Sequence, residues 1–145
     1  LKNRPIDVYG EGRMSRDFTY VDDLVEAIVR LVPVVPERGA TSDAPDTLSP
    51  AAPFRVVNIG GGAPVELTKF IEAIETKLGK KAVRNLMPMQ PGDVPDTEAD
   101  VQDLIEDVGY KPDTPIEVGV RRFIDWYLDY YRGGAPGESR VTNLG

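Results

Sequence analysis

Cysteine and histidine are both missing from the 145 residues of this chain. Without cysteine there are no disulfides and no thiolate metal sites, and nothing speaks for an oxidising compartment. Without histidine the chain lacks the commonest general base and the commonest metal ligand. No apolar run approaches the length that spans a bilayer, and no signal peptide opens the sequence, so no membrane partner is expected. Positive charge is also scarce: 17 Lys and Arg stand against 24 Asp and Glu, a net charge of −7, with no gathering of basic residues on one stretch. A nucleic acid therefore ranks last among partners. The first residue is Leu rather than Met, from which a piece of something longer is expected. What the chain has in quantity is turn chemistry, 14 Gly and 13 Pro, so its elements should be short. The class expected is an acidic, cytoplasmic α/β unit with one core.

The stretch Pro5 to Leu31, PIDVYGEGRMSRDFTYVDDLVEAIVRL, holds the most chemistry. Ile6, Val8 and Tyr9 read as a strand closed by Gly10 and Gly12. Arg16 follows the turn, and Phe18-Thr19-Tyr20-Val21 has strand-favouring composition. An arginine at the mouth of a glycine turn suits a bidentate grip on phosphate; the plain alternative is solvation or a pair with a neighbouring carboxylate such as Asp17. The acidic pair Asp22-Asp23 then opens a helix over Asp23 to Val32, with Leu24, Val25, Ala27, Ile28, Leu31 and Val32 at helical spacing.

Further along, residues 36–53 carry four prolines and no periodicity, which predicts a flexible surface loop. Phe54 to Ile59 reads as a short buried strand, and Gly60-Gly61-Gly62 as a structural turn, because neither the dinucleotide nor the Walker glycine pattern is present. Helices are predicted over Glu66 to Leu78, stopped by Gly79, and over Val101 to Val108, capped by Asp100 and stopped by Gly109. A last helix begins at Thr114-Pro115-Ile116-Glu117, a capping box, and its aromatics at Phe123, Tyr127 and Tyr131 read as core. Between them Pro91-Gly92 forms a turn that presents Asp93. Asp93, Asp96, Glu98 and Asp100 lack the spacing of a calcium loop, so no metal site is assigned. Residues 133–145 read as a disordered tail.

Two separated stretches, GRMSRDFTYVDDLVEAIVRL and MQPGDVPDTEAD, resemble the C-terminal portion of the NAD-dependent nucleotide-sugar epimerases and dehydratases, the extended branch of the short-chain dehydrogenases. Asn58-Ile59-Gly60-Gly61 and PIEVGVRRFIDWYLDYY fit the same pattern in the same order, and the likeness within the group is to UDP-glucuronate 4-epimerases. The resemblance implies a substrate-binding lobe over residues 1–132 whose segments Thr19–Val21 and Val56–Ile59 add strands to a nucleotide-binding sheet. It also implies roles. Arg16 would hold the diphosphate of a UDP-sugar, Val8 and Tyr9 would lie along the nucleobase, and Asp93 would bond the ribose hydroxyls. Gln90 stands where galactose-type epimerases carry a phosphate-binding arginine, and its amide is the version usual in the glucuronate group. Asp96 and Glu98 depart from the small and aromatic residues expected there and are left as solvated.

The chemistry implied is oxidation at the sugar C4 by NAD, rotation of the keto sugar and return of the hydride, with a Tyr-x-x-x-Lys pair moving the proton. None of the six tyrosines is followed at that distance by lysine, and the glycine fingerprint for NAD is absent. No catalytic or cofactor-binding residue is therefore assigned, NAD is expected on an N-terminal part outside this chain, and the chain alone is expected to be inactive. Alternatives are a dehydratase or decarboxylase on the same scaffold, and a stand-alone binding module. Strand edges and apolar helix faces left without that N-terminal part predict either self-association or marginal stability.

Overall fold

The computed structural model describes residues 4–37 and 47–131, so half of the proline-rich loop and the tail expected after residue 132 lie outside the described residues. Strand β1 (Ile6–Val8) runs into a 3-10 turn (Tyr9–Gly12), followed by β2 (Ser15–Arg16) and helix α1 (Val21–Leu31). After the long connection come β3 (Val65–Glu66), α2 (Leu67–Leu78), β4 (Arg84–Leu86), α3 (Gln102–Val108) and α4 (Ile116–Tyr131).

The strands form two small ladders. β1 lies parallel to β4, with Ile6 opposite Arg84 and Val8 opposite Leu86. β2 lies antiparallel to β3, with Arg16 opposite Val65. Helix α2 joins them, since β3 feeds directly into it and β4 follows its end. Tyr9 therefore does not continue β1: the chain leaves extended geometry at that residue, because Gly10 at φ 58 and Gly12 at φ 78 bend it sharply. Gly12 has no room for more; an added Cβ would sit 2.7 Å from Thr68 Cγ2 at the start of α2.

The helices start and stop near where periodicity and punctuation place them. Gly79 and Gly109 both adopt the left-handed conformation that ends α2 and α3. The starts differ in their caps. Asp22 and Asp23 lie within the first turn of α1 rather than ahead of it. Asp23 instead accepts from the Thr114 backbone N–H (2.9 Å) and hydroxyl (2.8 Å), so it ties α1 to the residues that open α4. The expected capping-box hydroxyl is thus turned towards another helix.

The core is small. Val8, Met14, Ile71, Val101, Leu104, Val120 and Ile124 are its buried large apolar side chains, with Ala27 beneath α1. α2 packs on α4, and Phe18 stacks on Phe70 with ring centroids 4.5 Å apart.

Two expectations of buried structure are corrected. The Phe18–Val21 run is not a strand in this chain: Val21 already belongs to α1. Phe54 to Ile59 pairs with no strand among the described residues, and Phe54 and Val56 are exposed. A strand needs a ladder partner for its backbone N–H and C=O groups, and the described residues provide none at these places. The α4 aromatics differ as well. Phe123, Tyr127 and Tyr131, read as core, are exposed beside Trp126 and Tyr130, while only Gly119, Val120 and Ile124 of that helix are buried.

Candidate functional site

Three residues of β2 and its flank set the site. Segment 93–99 runs parallel to residues 15–17: the Ser15 N–H donates to the Pro95 carbonyl (2.9 Å) and the Thr97 N–H to the Ser15 carbonyl (3.3 Å). Ser15 and Asp96 form an isolated parallel bridge, and the Ser15 hydroxyl donates to an Asp96 carboxylate oxygen. Asp96 is exposed, and its carboxylate also serves as a partner of Ser15, with which its backbone lies in register.

Arg16 projects from this pairing, half-buried. Its Nη1 donates to the carbonyls of Ser15 (2.8 Å) and Pro95 (3.0 Å). Its Nη2 donates to Met14 Sδ (3.8 Å) and to Asp93 Oδ1 (3.1 Å), across 77 residues of sequence. Arg16 thus finds its counter-ion in Asp93, not in the adjacent Asp17. Asp93 is presented by the expected turn: Gly92 has φ 84, and the Asp93 N–H donates to the Gln90 carbonyl (3.2 Å). Its Oδ1 also accepts the Val94 N–H (2.9 Å). The two side chains are 26% and 33% exposed, open enough for a ligand to reach both.

The remaining residues read from the sequence lie on the same flank in different settings. Val8 is buried, and its carbonyl accepts the Met87 N–H (2.9 Å). Tyr9 is half-buried at the head of the 3-10 turn, and the Glu11 N–H there donates to the Met87 carbonyl (3.1 Å), which joins that turn to the segment leading to Gln90. Gln90 is exposed.

Sequence reasoning missed Asp17. Its carboxylate accepts from three backbone N–H groups: Gly61 at 2.9 Å on Oδ1, and Gly62 at 2.9 Å and Ala99 at 3.0 Å on Oδ2. The glycines matter for this fit. An added Cβ at Gly60 would meet Ala99 Cβ at 2.5 Å and Asp17 Oδ2 at 2.9 Å, and one at Gly61 would meet Asp17 Oδ1 at 3.0 Å. The turn at 60–62 is structural, as its sequence suggested, because its donors are turned inward.

Away from the site, Glu75 of α2 is a buried charge. It accepts from Lys81 Nζ (2.8 Å), the Ala82 N–H (3.0 Å) and Arg84 Nη2 (3.0 Å). The Lys81 bond, then the Ala82 N–H, then Arg84, hold its carboxyl down to about 2, against the cost of burial. Burial, then the nearby carboxylates Asp23, Glu26 and Asp113, push the Tyr110 hydroxyl up. No group of three or more potential metal ligands lies together among the described residues.

Residues 1–42 match the NAD dependent epimerase/dehydratase family. The fold is similar to that of the C-terminal part of extended short-chain dehydrogenase epimerases. It is similar to UDP-glucuronate 4-epimerases. A probable UDP-glucuronate 4-epimerase of Rhizobium meliloti is 59% identical over 133 residues, covering 89% of this chain and 39% of the relative. Protein CapI of Staphylococcus aureus is 54% identical over 134 residues, covering 91% of this chain and 40% of the relative. Among solved structures, the UDP-glucuronic acid 4-epimerase of Bacillus cereus in complex with UDP-glucuronic acid and NAD superposes with a TM-score of 0.69 at 25% identity, over 90% of this chain and 37% of that one. The chain spans about two-fifths of the length of the relatives it matches.

Proposed function

We propose that this chain is the UDP-sugar-holding part of an NAD-dependent epimerase that interconverts UDP-glucuronate and UDP-galacturonate at C4. The observation that carries the reading is the convergence of Arg16 of β2 and Asp93 of a turn, 77 residues apart in sequence. In this reading the Arg16 guanidinium donates to the diphosphate, a charge-assisted grip in which the fixed fork of donors matches phosphate oxygens. Asp93 accepts from the ribose hydroxyls through Oδ2, since its Oδ1 already serves Arg16 and the Val94 N–H. The end of β1 with Tyr9 lies beside the nucleobase, and Gln90 offers a neutral amide near the phosphates. The similarity to proteins named UDP-glucuronate 4-epimerase supports this choice of sugar.

NAD does not fit on these residues. The glycine turn at 60–62 is where a strand-to-helix loop would cradle its pyrophosphate, yet the Gly61 and Gly62 N–H groups already serve Asp17. The reading therefore places NAD, and the tyrosine–lysine pair, on the remainder of the parent protein. This chain orients the substrate, is inactive alone, and works in the cytoplasm; none of its described helices is long and apolar enough to cross a membrane.

The test is calorimetric titration of the chain with UDP, for the wild type and for Arg16→Ala. Binding in the millimolar range or tighter, weakened by about 1.5–3 kcal/mol in the variant, is the expected result. Equal affinities for the two proteins would overturn the reading.

A further inference from the structure

Resting on the reading that Arg16 and Asp93 grip one UDP, we propose that Asp17 is a positioning residue: by clipping three backbone N–H groups it fixes the Asp93 segment opposite Arg16. Asp17 touches neither Arg16 nor Asp93 with its side chain, but it is the next residue after Arg16. Its carboxylate takes Gly61 and Gly62 from one segment and Ala99 from another, 44, 45 and 82 residues away in sequence. Ala99 is the far end of the strip that begins at Asp93 and runs alongside Ser15 through the Pro95 and Thr97 backbone bonds. The strip is therefore held at one end by Arg16, in its middle by Ser15, and at the other end by Asp17. Arg16 is the point of contact with the ligand, so only the other two attachments persist unchanged while it binds.

The chemistry of the clip requires a carboxylate. Three N–H donors converge on two oxygens, and each oxygen must accept. An amide of the same shape offers one oxygen and one NH2 group, and in either orientation the NH2 would face an N–H donor. Asp17→Asn thus breaks the clip with almost no change in volume.

The experiment measures UDP affinity for Asp17→Asn, Asp93→Ala and the double variant. Expected is a loss of about tenfold for Asp17→Asn, the low end for one charge-assisted hydrogen bond. Added to Asp93→Ala, the same change should cost within about twofold, because its effect passes through Asp93. Gly60→Ala, which forces a Cβ between Ala99 and Asp17, should weaken UDP binding as well while keeping the carboxylate. On the unaltered protein, amide exchange supplies a reading that needs no variant to fold. If the clip favours ligand, ligand must favour the clip, so saturating UDP should slow exchange at Ala99. Wild-type UDP affinity in Asp17→Asn, full additivity with Asp93→Ala, or an Ala99 amide indifferent to bound UDP would each overturn the proposal. Failure of the UDP reading itself looks different: wild type and Arg16→Ala would then bind UDP equally.

Discussion

Arg16 enters any encounter with a ligand already half satisfied. Both Nη atoms donate within the protein, to two carbonyls, a thioether and the Asp93 carboxylate, so the planar fork is held in place without a ligand. The ion pair itself is partly exposed and worth at most about 1 kcal/mol, which makes it easy for a diphosphate to compete with. Lysine cannot reproduce that arrangement, since it lacks a planar fork. Arg16→Lys should therefore lose UDP affinity by about tenfold despite keeping its charge, as measured by the same calorimetry. Glu75 gives a residue-scale prediction of another kind. Its folded carboxyl titrates at about 2 against an ordinary 4.5. The depressed value means that its contribution to stability is fully present above about 4.5 and is lost as pH falls towards 2. Thermal unfolding of the wild type and Glu75→Gln should differ at neutral pH and converge across that acid window. A gap that stays constant down to pH 2 would contradict the assignment. At this scale a family pattern singled out Arg16 and Asp93, and the structure pairs them. Asp17 was invisible, because a carboxylate that bonds backbone N–H groups 44 to 82 residues away leaves no local spacing to read.

Among the elements, the helices and β1 were legible, while the strands expected over Phe18–Val21 and Phe54–Ile59 were not formed, for a physical reason. α2 and α3 end on glycines that take the left-handed conformation, a local signal that tertiary contacts need not override. Phe54 to Ile59 has strand composition but no partner among the described residues, and strand formation depends on a neighbour that composition cannot supply. The caps show a third case. Asp23 looked like a local N-cap, yet it serves Thr114, which opens α4. Asp23→Ala should therefore lower stability by about 1–3 kcal/mol, the cost of leaving those donors without a charged acceptor. The check is a denaturant titration, with amide exchange at Thr114 rising in the variant. A purely local cap would raise exchange in the first turn of α1 and leave Thr114 unchanged.

At the scale of the whole molecule, apolar surface is left uncovered on two helices. Val21, Val25, Ile28 and Val29 face outward on α1, with Val32 just past its end, and Phe123, Trp126, Tyr127, Tyr130 and Tyr131 do so on α4. The chain spans about two-fifths of its relatives' length, and faces of this kind are what a larger body covers. Isolated, the chain should self-associate or unfold at modest temperature. Sedimentation across a concentration series should show growth in mass, reduced when Ile28→Glu places a charge in the α1 stripe. A concentration-independent monomer with a high unfolding midpoint would contradict this. The proposed function requires one ligand to draw on Arg16 and Asp93 together. Isotope-edited NMR of the Arg16 guanidinium and the Asp93 carboxyl, followed through a single UDP titration, tests that most directly. Both resonances should move along one binding curve and saturate together. Saturation of the protein by UDP with either resonance unmoved would contradict it.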